Sequence, residues 1–488
     1  MEREILVIDA GTTSTRAIRF APDGACLGQH SAPIAQHYPC PGWVEHDANE
    51  IRDASFACAR QMIDAAGGSD RIAAIGIANQ RETVVFWDRS TGEALAPAIV
   101  WQDRRSADLC AALIDRGEEA GVQARSGLLL DPYFSGTKIA WALEHWTHLR
   151  EAGDRLAIGT VESWLMWHLT GGAHVSDATN ASRTLLMALG SGSWDDGLID
   201  LFGVPRAALP EIVDCAGQFG TTSRFGGSIA ITGMAGDQQA ATIGQSCLAR
   251  GETKATYGTG AFVLANCGTT PPVSRNRLLA TVAWQIGGRR TYALEGSVFV
   301  AGSLIQWLRD SLGLLASADE SEALARSVAD NGGVYCVPAL AGIGAPWWRP
   351  EARAAITGMS FATTRAHVAR AALEAMAHQT RDLKTAFAAD GADWKTLRID
   401  GGMVANDWMA QDLADMLDIP VERPGFAETT ALGAAMLAGV GAGIFATLED
   451  AAAMRGPIEH FLPTIADSER TRRVEGWSAA VQAVVVKR

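Results

Sequence analysis

One structural device occurs twice in this chain, and that recurrence limits the fold more than any other feature. Near the amino terminus, apolar, β-rich Glu4–Asp9 leads into the small-residue turn Ala10–Ser14 and out through strand-like Arg16–Phe20. Near the middle, Lys254–Tyr257 leads into Gly258-Thr259-Gly260 and out through Ala261–Asn266. Asp9-Ala-Gly-Thr-Thr13 and Tyr257-Gly-Thr-Gly260 read as copies of one strand–turn–strand unit. Two stretches of similar size, each opening on this unit, predict an α/β duplication: two lobes with a cleft between them. The boundary falls near residues 245–252, giving lobes over 1–246 and 247–488.

The stretches between carry ordinary α/β punctuation. Pro22-Asp23-Gly24 is a turn signal, and Ala25–His30 extends the opening meander. Asp47-Ala-Asn-Glu50 has the pattern of a capping box. It precedes a helix with Ile51, Phe56, Met62 and Ile63 at helical spacing, ended by Gly67-Gly68. Ile72–Ala78 reads as a strand, and Val84–Asp88 with the Thr91-Gly92 turn as a hairpin. Helices are predicted over Leu304–Leu312 and over Ala366–Ala389, the latter with Val368, Leu373, Met376, Leu383 and Phe387 inward. Thr429–Leu448 carries no charge and approaches membrane-spanning length. Ala and Gly dominate it and contribute little transfer energy, so a buried, closely packed helix is expected instead.

Composition argues against several function classes. The 488 residues, 48% of them hydrophobic, supply ample core for two or three domains. A formal net charge of −14, with no basic block, disfavours nucleic acid and anionic membranes as partners. A bound nucleotide must therefore be held locally, by backbone N–H groups, a few Arg or Lys side chains and a metal. The eight cysteines are scattered singly with no C-x-x-C, which disfavours a zinc ribbon, a thioredoxin-like site and a disulfide scaffold. Met1-Glu2-Arg3-Glu4 leads straight into a strand without a signal-peptide pattern, so a cytoplasmic location is expected.

The chemistry-bearing residues gather where strands end. Arg81 and Glu82, in Asn79-Gln-Arg-Glu-Thr83, put a donor fork and an acceptor after the strand Ile72–Ala78. Trp101, in Ile99-Val-Trp-Gln-Asp-Arg-Arg105, offers an apolar face. This set suits a small polyhydroxylated ligand; it also suits a surface ion pair beside a core Trp. Each Gly/Thr turn presents N–H groups and hydroxyls fit for phosphate, or is an ordinary tight turn. Asp9, beside the first turn, is placed to hold Mg²⁺ through water. In Asp400-Gly-Gly-Met-Val-Ala-Asn406, the Gly pair would let a flat ring approach the backbone and Asn406 would bond an adenine edge or ribose; a tight strand-to-helix connection is the alternative. Asp237, after the strand Ile229–Met234, would accept the hydroxyl proton in phosphoryl transfer to an alcohol, and a helix cap occupies the same kind of position. Ser135-Gly-Thr-Lys138 fits S-x-x-K, but no S-D-N or K-T-G triplet supports it. There is no Walker A sequence.

Taken together these stretches resemble the FGGY carbohydrate kinases. The resemblance runs from Asp9-Ala-Gly-Thr-Thr-Ser-Thr-Arg16 to Glu428-Thr-Thr-Ala-Leu-Gly-Ala-Ala435. Between them come Gly42-Trp-Val-Glu-His-Asp47, Asp131-Pro-Tyr-Phe-Ser-Gly-Thr-Lys138, Asn180-Ala-Ser-Arg-Thr184, Gly236-Asp-Gln-Gln239, Thr256-Tyr-Gly-Thr-Gly260 and Glu295-Gly-Ser-Val-Phe299. It implies a two-lobed ribonuclease H-like, actin-like ATPase fold. It also implies ATP-dependent phosphorylation of glycerol to sn-glycerol 3-phosphate, and assembly as a homodimer or homotetramer. By the same resemblance Arg81, Glu82, Tyr133, Asp237 and Gln238 bind the glycerol hydroxyls, with Asp237 as base, and Trp101 and Phe262 flank the carbons. The nucleotide would lie on Thr12, Thr13, Ser14, Arg16, Gly258, Thr259, Gly302, Gln306, Gly402, Met403 and Asn406, with Asp9 and Asp237 near Mg²⁺.

The chain departs from the family pattern in places. Gly226-Gly-Ser-Ile229 lacks the Arg that binds fructose 1,6-bisphosphate in enteric relatives, and Cys215–Phe225 has no His for phosphohistidine control. Trp347-Trp-Arg349 and Gly358–Thr364 also differ from the usual runs. Two other readings stay open at this point. One keeps the chemistry with another short polyol or triose, such as erythritol or dihydroxyacetone. The other is an actin-like regulatory ATPase with no small acceptor, in which Arg81, Glu82, Trp101 and Tyr133 have no purpose.

Overall fold

Each copy of the strand–turn–strand unit seeds a mixed sheet in the computed structural model, which describes residues 3–349 and 351–485. In the first half, β1 (Glu4–Ala10), β2 (Ser14–Phe20) and β3 (Cys26–Pro33) form an antiparallel meander. On the other side of β1, β4 (Ile72–Asn79) pairs parallel to it, with β5 (Ala216–Thr222) and β6 (Ile229–Gly236) completing the order β3-β2-β1-β4-β6-β5. In the second half, β7 (Glu252–Tyr257), β8 (Ala261–Gly268), β9 (Leu279–Ile286) and β10 (Arg289–Val298) are antiparallel neighbours. Beyond β7 lie β11 (Thr396–Asp400), β12 (Val421–Pro424) and β13 (Ile458–Phe461), in the order β9-β10-β8-β7-β11-β12-β13. The two sheets share one plan: antiparallel strands on one side of the opening strand, parallel strands on the other, an antiparallel strand at the far edge. Every residue of β1 is buried, as a central strand covered on both faces requires.

Helices cover these sheets. In α1 (Ala48–Ala66), Asp47 caps the start by accepting from Asn49 N at 2.8 Å. The expected capping box is half made, because Glu50 Oε1 accepts from Ala35 N at 3.2 Å instead. Val85–Asp88 pairs mainly with Leu156–Gly159, and its own return after Thr91-Gly92 is reduced to a bridge between Trp87 and Ala94. Later helices include α2 (Asp237–Gly244), α3 (Gly302–Asp310), α4 (Arg365–Ala389), α5 (Asp407–Leu417) and α6 (Thr429–Gly441).

The uncharged α6 belongs to the second half of the chain but packs on α2 and on β1, β4 and β6 of the first sheet. Small residues permit this approach. A Cβ on Gly233 would lie 2.4 Å from Ala438 N, and one on Gly433 would lie 1.8 Å from Ala240 O. Among the described residues, no helix is long and apolar enough to cross a membrane. The parallel strands of each sheet end together: Ala10 pairs with Asn79, Asn79 with Gly236, and Thr256 with Asp400. Both Gly/Thr turns and Asp237 therefore sit at carboxyl ends of strands, where open α/β sheets present ligand sites.

Candidate active site

Two cavities adjoin in the cleft. One, of about 590 Å³, is lined by Thr12, Thr13, Trp101, Tyr133, Gln238 and Phe262 among others. The second, of about 480 Å³, is lined by Gly302, Gln306, Gly402, Met403 and Asn406 among others. Gly258 and Thr259 line both, so the second Gly/Thr turn forms the threshold between them. Gly302 is required there: its N donates to Gly258 O at 2.9 Å, and a Cβ would stand 2.6 Å from that oxygen. Gly401 (φ +95°) crosses Tyr257 equally closely, with a Cβ position 2.4 Å from Tyr257 O. Asn406 serves two roles, lining the cavity and capping α5 through Oδ1, which accepts from Met409 N at 2.9 Å.

Two of the expected nucleotide residues lie apart from this space. Ser14 and Arg16 line a separate hollow of about 230 Å³ with Gln29, His30 and Ser31. The Arg16 guanidinium is engaged, with Nε 3.5 Å from Asp9 Oδ2 and Nη1 paired to Glu428 at the start of α6.

Arg81 and Glu82 are buried, which removes the surface-ion-pair reading. Nor are they chiefly partners of one another, since their closest charged atoms are 3.9 Å apart. Arg81 donates to Glu295 at 2.6 and 3.2 Å and to the Tyr133 hydroxyl at 3.2 Å, and its Nε lies 3.3 Å from Asp237 Oδ1. Glu82 accepts from Arg183 Nε at 2.6 Å, and Arg183 also donates to Glu295 at 3.0 Å. Burial pushes the Glu295 carboxyl up, but the Arg183 and Arg81 guanidiniums outweigh it and hold it at about 2. Neither Arg81 nor Glu82 lines the larger cavity; Tyr133 and Gln238 do. Glu82 holds a left-handed backbone (φ 63°), a strain that this surrounding network over-determines.

Arg183 and Glu295 received no role from the sequence reading. The signal was a charged residue inside an apolar run: Glu295 interrupts Tyr292-Ala-Leu and Gly-Ser-Val on β10. Trp348, in one of the runs that depart from the family pattern, also lines the larger cavity and packs edge-on against Phe299 at 6.0 Å.

Asp237 opens α2, its side chain one-third exposed (33%), with Oδ1 accepting from Gln238 N at 2.7 Å. Burial raises its pKa, and Arg81 opposes that shift. Asp9 is raised to about 7, chiefly by burial; Arg16 lowers it, while the charges of Asp237 and Glu428 push it further up. Two carboxylates that destabilise each other's charge fit a divalent cation. Among the described residues no cluster of three or more His, Cys, Asp or Glu could hold a metal. Mg²⁺ takes one or two carboxylates and completes its shell with water and phosphate oxygens. Trp101 meets Phe262 edge-on at 6.4 Å and Tyr133 at 5.7 Å, and its Nε1 donates to Thr12 Oγ1 at 2.9 Å. The indole thus ties the first Gly/Thr turn to the aromatic walls.

A two-lobed duplication with a polar cleft at its strand ends defines a class. Residues 4–244 match the N-terminal domain of the FGGY family of carbohydrate kinases and residues 253–442 match its C-terminal domain, and the chain belongs to that family. Within it, the chain is 54% identical to a glycerol kinase of Rhodospirillum rubrum, with 98% of each chain covered. It is 52% identical to a glycerol kinase of Alcanivorax borkumensis over the same shares. A crystal structure of Plasmodium falciparum glycerol kinase with ADP superposes with a TM-score of 0.94 at 34% identity, covering 100% of this chain and 99% of that one. A xylulose kinase from Lactobacillus acidophilus has the same fold (TM-score 0.90, 20% identity).

Proposed function

We infer that this protein transfers the γ-phosphoryl group of ATP to a terminal hydroxyl of glycerol, giving sn-glycerol 3-phosphate and ADP. The observation that carries this reading is the full-length similarity to glycerol kinases at about half identity. The site is consistent with it: Tyr133, Gln238 and the aromatic walls face one cavity, which meets the second at Gly258-Thr259. Arg81 is held by Glu295 with its fork toward Tyr133 and Asp237. Asp237 takes the hydroxyl proton as that oxygen bonds phosphorus and the bond to the β-phosphate oxygen breaks. Burial favours this role, because it raises the proton affinity of Asp237 while Arg81 keeps it ionisable. Backbone N–H groups and hydroxyls of the two turns bind the phosphates. Mg²⁺, held through Asp9 and Asp237, would neutralise charge on the transferred group.

A coupled assay of ADP release across glycerol, erythritol and dihydroxyacetone tests the reading. Glycerol is expected to give the highest kcat/KM. ATP turnover indifferent to every added polyol would overturn it, and preference for a longer polyol would move the acceptor within the family. Cytoplasmic residence and self-association as a dimer or tetramer belong to the same proposal.

A further inference from the structure

Lys254 is a buried cation beside the cleft to which the catalytic reading gives no task. It lies on β7 and is fully excluded from solvent. Its Nζ donates to Gln238 Oε1 and, at 2.7 Å, to Thr256 Oγ1. Thr256 spends its one hydroxyl hydrogen on Asp400 Oδ1 at 2.5 Å, so its lone pair is what meets the ammonium. Asp400 also accepts from Thr429 Oγ1 at 2.7 Å and Gln245 Nε2 at 3.0 Å. Protons therefore run one way along this chain, from Lys254 through Thr256 to a carboxylate fixed from three sides.

The consequence falls on Gln238. Its carboxamide has an accepting end and a donating end, and an ammonium can only donate. Lys254 therefore claims the oxygen. The Nε2 end has no protein partner among the described residues, and Gln238 lines the larger cavity. We propose that Lys254 is a positioning residue that reaches from the second lobe to lock the Gln238 carboxamide, so that Gln238 donates to a substrate hydroxyl oxygen and does not accept from it. Nε2 then offers a donor into the cavity, and the proton to be removed is left to Asp237. The inference rests on the polyol-kinase reading above.

Three variants of the full chain, Gln238→Glu, Lys254→Met and Lys254→Arg, test it by steady-state kinetics with melting curves as a fold control. Gln238→Glu keeps the Lys254 contact and replaces the donor with an acceptor. It should raise the glycerol KM on the order of tenfold or more, the loss of a hydrogen bond to a buried polar group, with the ATP KM and the melting point unmoved. Lys254→Met frees the amide to turn and should raise the glycerol KM in the same direction, while Lys254→Arg, still a pure donor, should recover much of the wild-type value. An unchanged glycerol KM in Gln238→Glu overturns the proposal even if Lys254→Met fails to fold. So does an effect of Lys254→Met confined to the ATP KM, which would make the ammonium a phosphate ligand. Wild-type protein with no polyol-dependent turnover would fault the functional reading, whereas an active wild type with insensitive variants faults this inference alone.

Discussion

Arg81 and Glu295 stand 214 positions apart in the chain and meet through hydrogen bonds of 2.6 and 3.2 Å, with neither side chain open to solvent. One comes from the first lobe and the other from the second. Glu295 also serves Arg183, which in turn holds Glu82. These four side chains are thus a closed set of opposite charges, and Tyr133, which lines the larger cavity, is tied to it through Arg81.

Removing one member leaves the others buried without compensation, so Glu295→Gln should lower stability by about 3–5 kcal/mol. The pH dependence has a definite sign. Glu295 sits at about 2 in the folded protein against an ordinary 4.5, so its contribution is complete above 4.5 and fades as pH falls toward 2. Calorimetry should show a melting-point gap between wild type and variant that is flat in neutral buffer and narrows in acid. A gap that widens in acid would contradict the assignment.

Asp237→Asn should fold, because Oδ1 can still accept from Gln238 N. Its kcat should drop by about 10²–10⁴, the range for loss of a general base. Single-turnover kinetics with near-normal rates would remove Asp237 from that role.

Trp101 carries two separable functions, an aromatic wall and a hydrogen bond to Thr12. Trp101→Ala should raise the glycerol KM about tenfold or more through lost apolar contact. Trp101→Phe keeps the wall and loses the donor, so its change should appear chiefly in the ATP KM. Equal effects on both substrates in both variants would refute the division.

Gly233→Ala places a methyl 2.4 Å from the Ala438 backbone nitrogen, and neither backbone can yield without moving α6. A loss of about 1–3 kcal/mol is expected from this overpacking. Gly190→Ala, which meets nothing within 4 Å, serves as its control in urea denaturation.

Asn406 caps α5 and lines the second cavity. Asn406→Ala should lose about 1 kcal/mol of cap stability and raise the ATP KM. Asn406→Asp can still accept from Met409 N, so stability should stay while the ATP KM rises. A normal ATP KM in both would leave Asn406 a cap alone.

Local pattern carried a large part of this protein. The repeated Gly/Thr turn announced the duplicated sheets, apolar spacing marked α1 and α4, and an uncharged run rich in Ala and Gly announced a buried α6. These features are legible because turn geometry and the period of burial are set by residues close together in the chain. Partnership across the cleft was not legible. Glu82 beside Arg81 looked like a pair, yet the bonds run to Arg183 and Glu295; Lys254 gave no hint of Gln238; α6 showed that it was buried but not that it lies on the first lobe's sheet. A hydrophobic face has no direction and a charge takes whichever partner docking brings within 3 Å, so those choices belong to the packing of the two lobes.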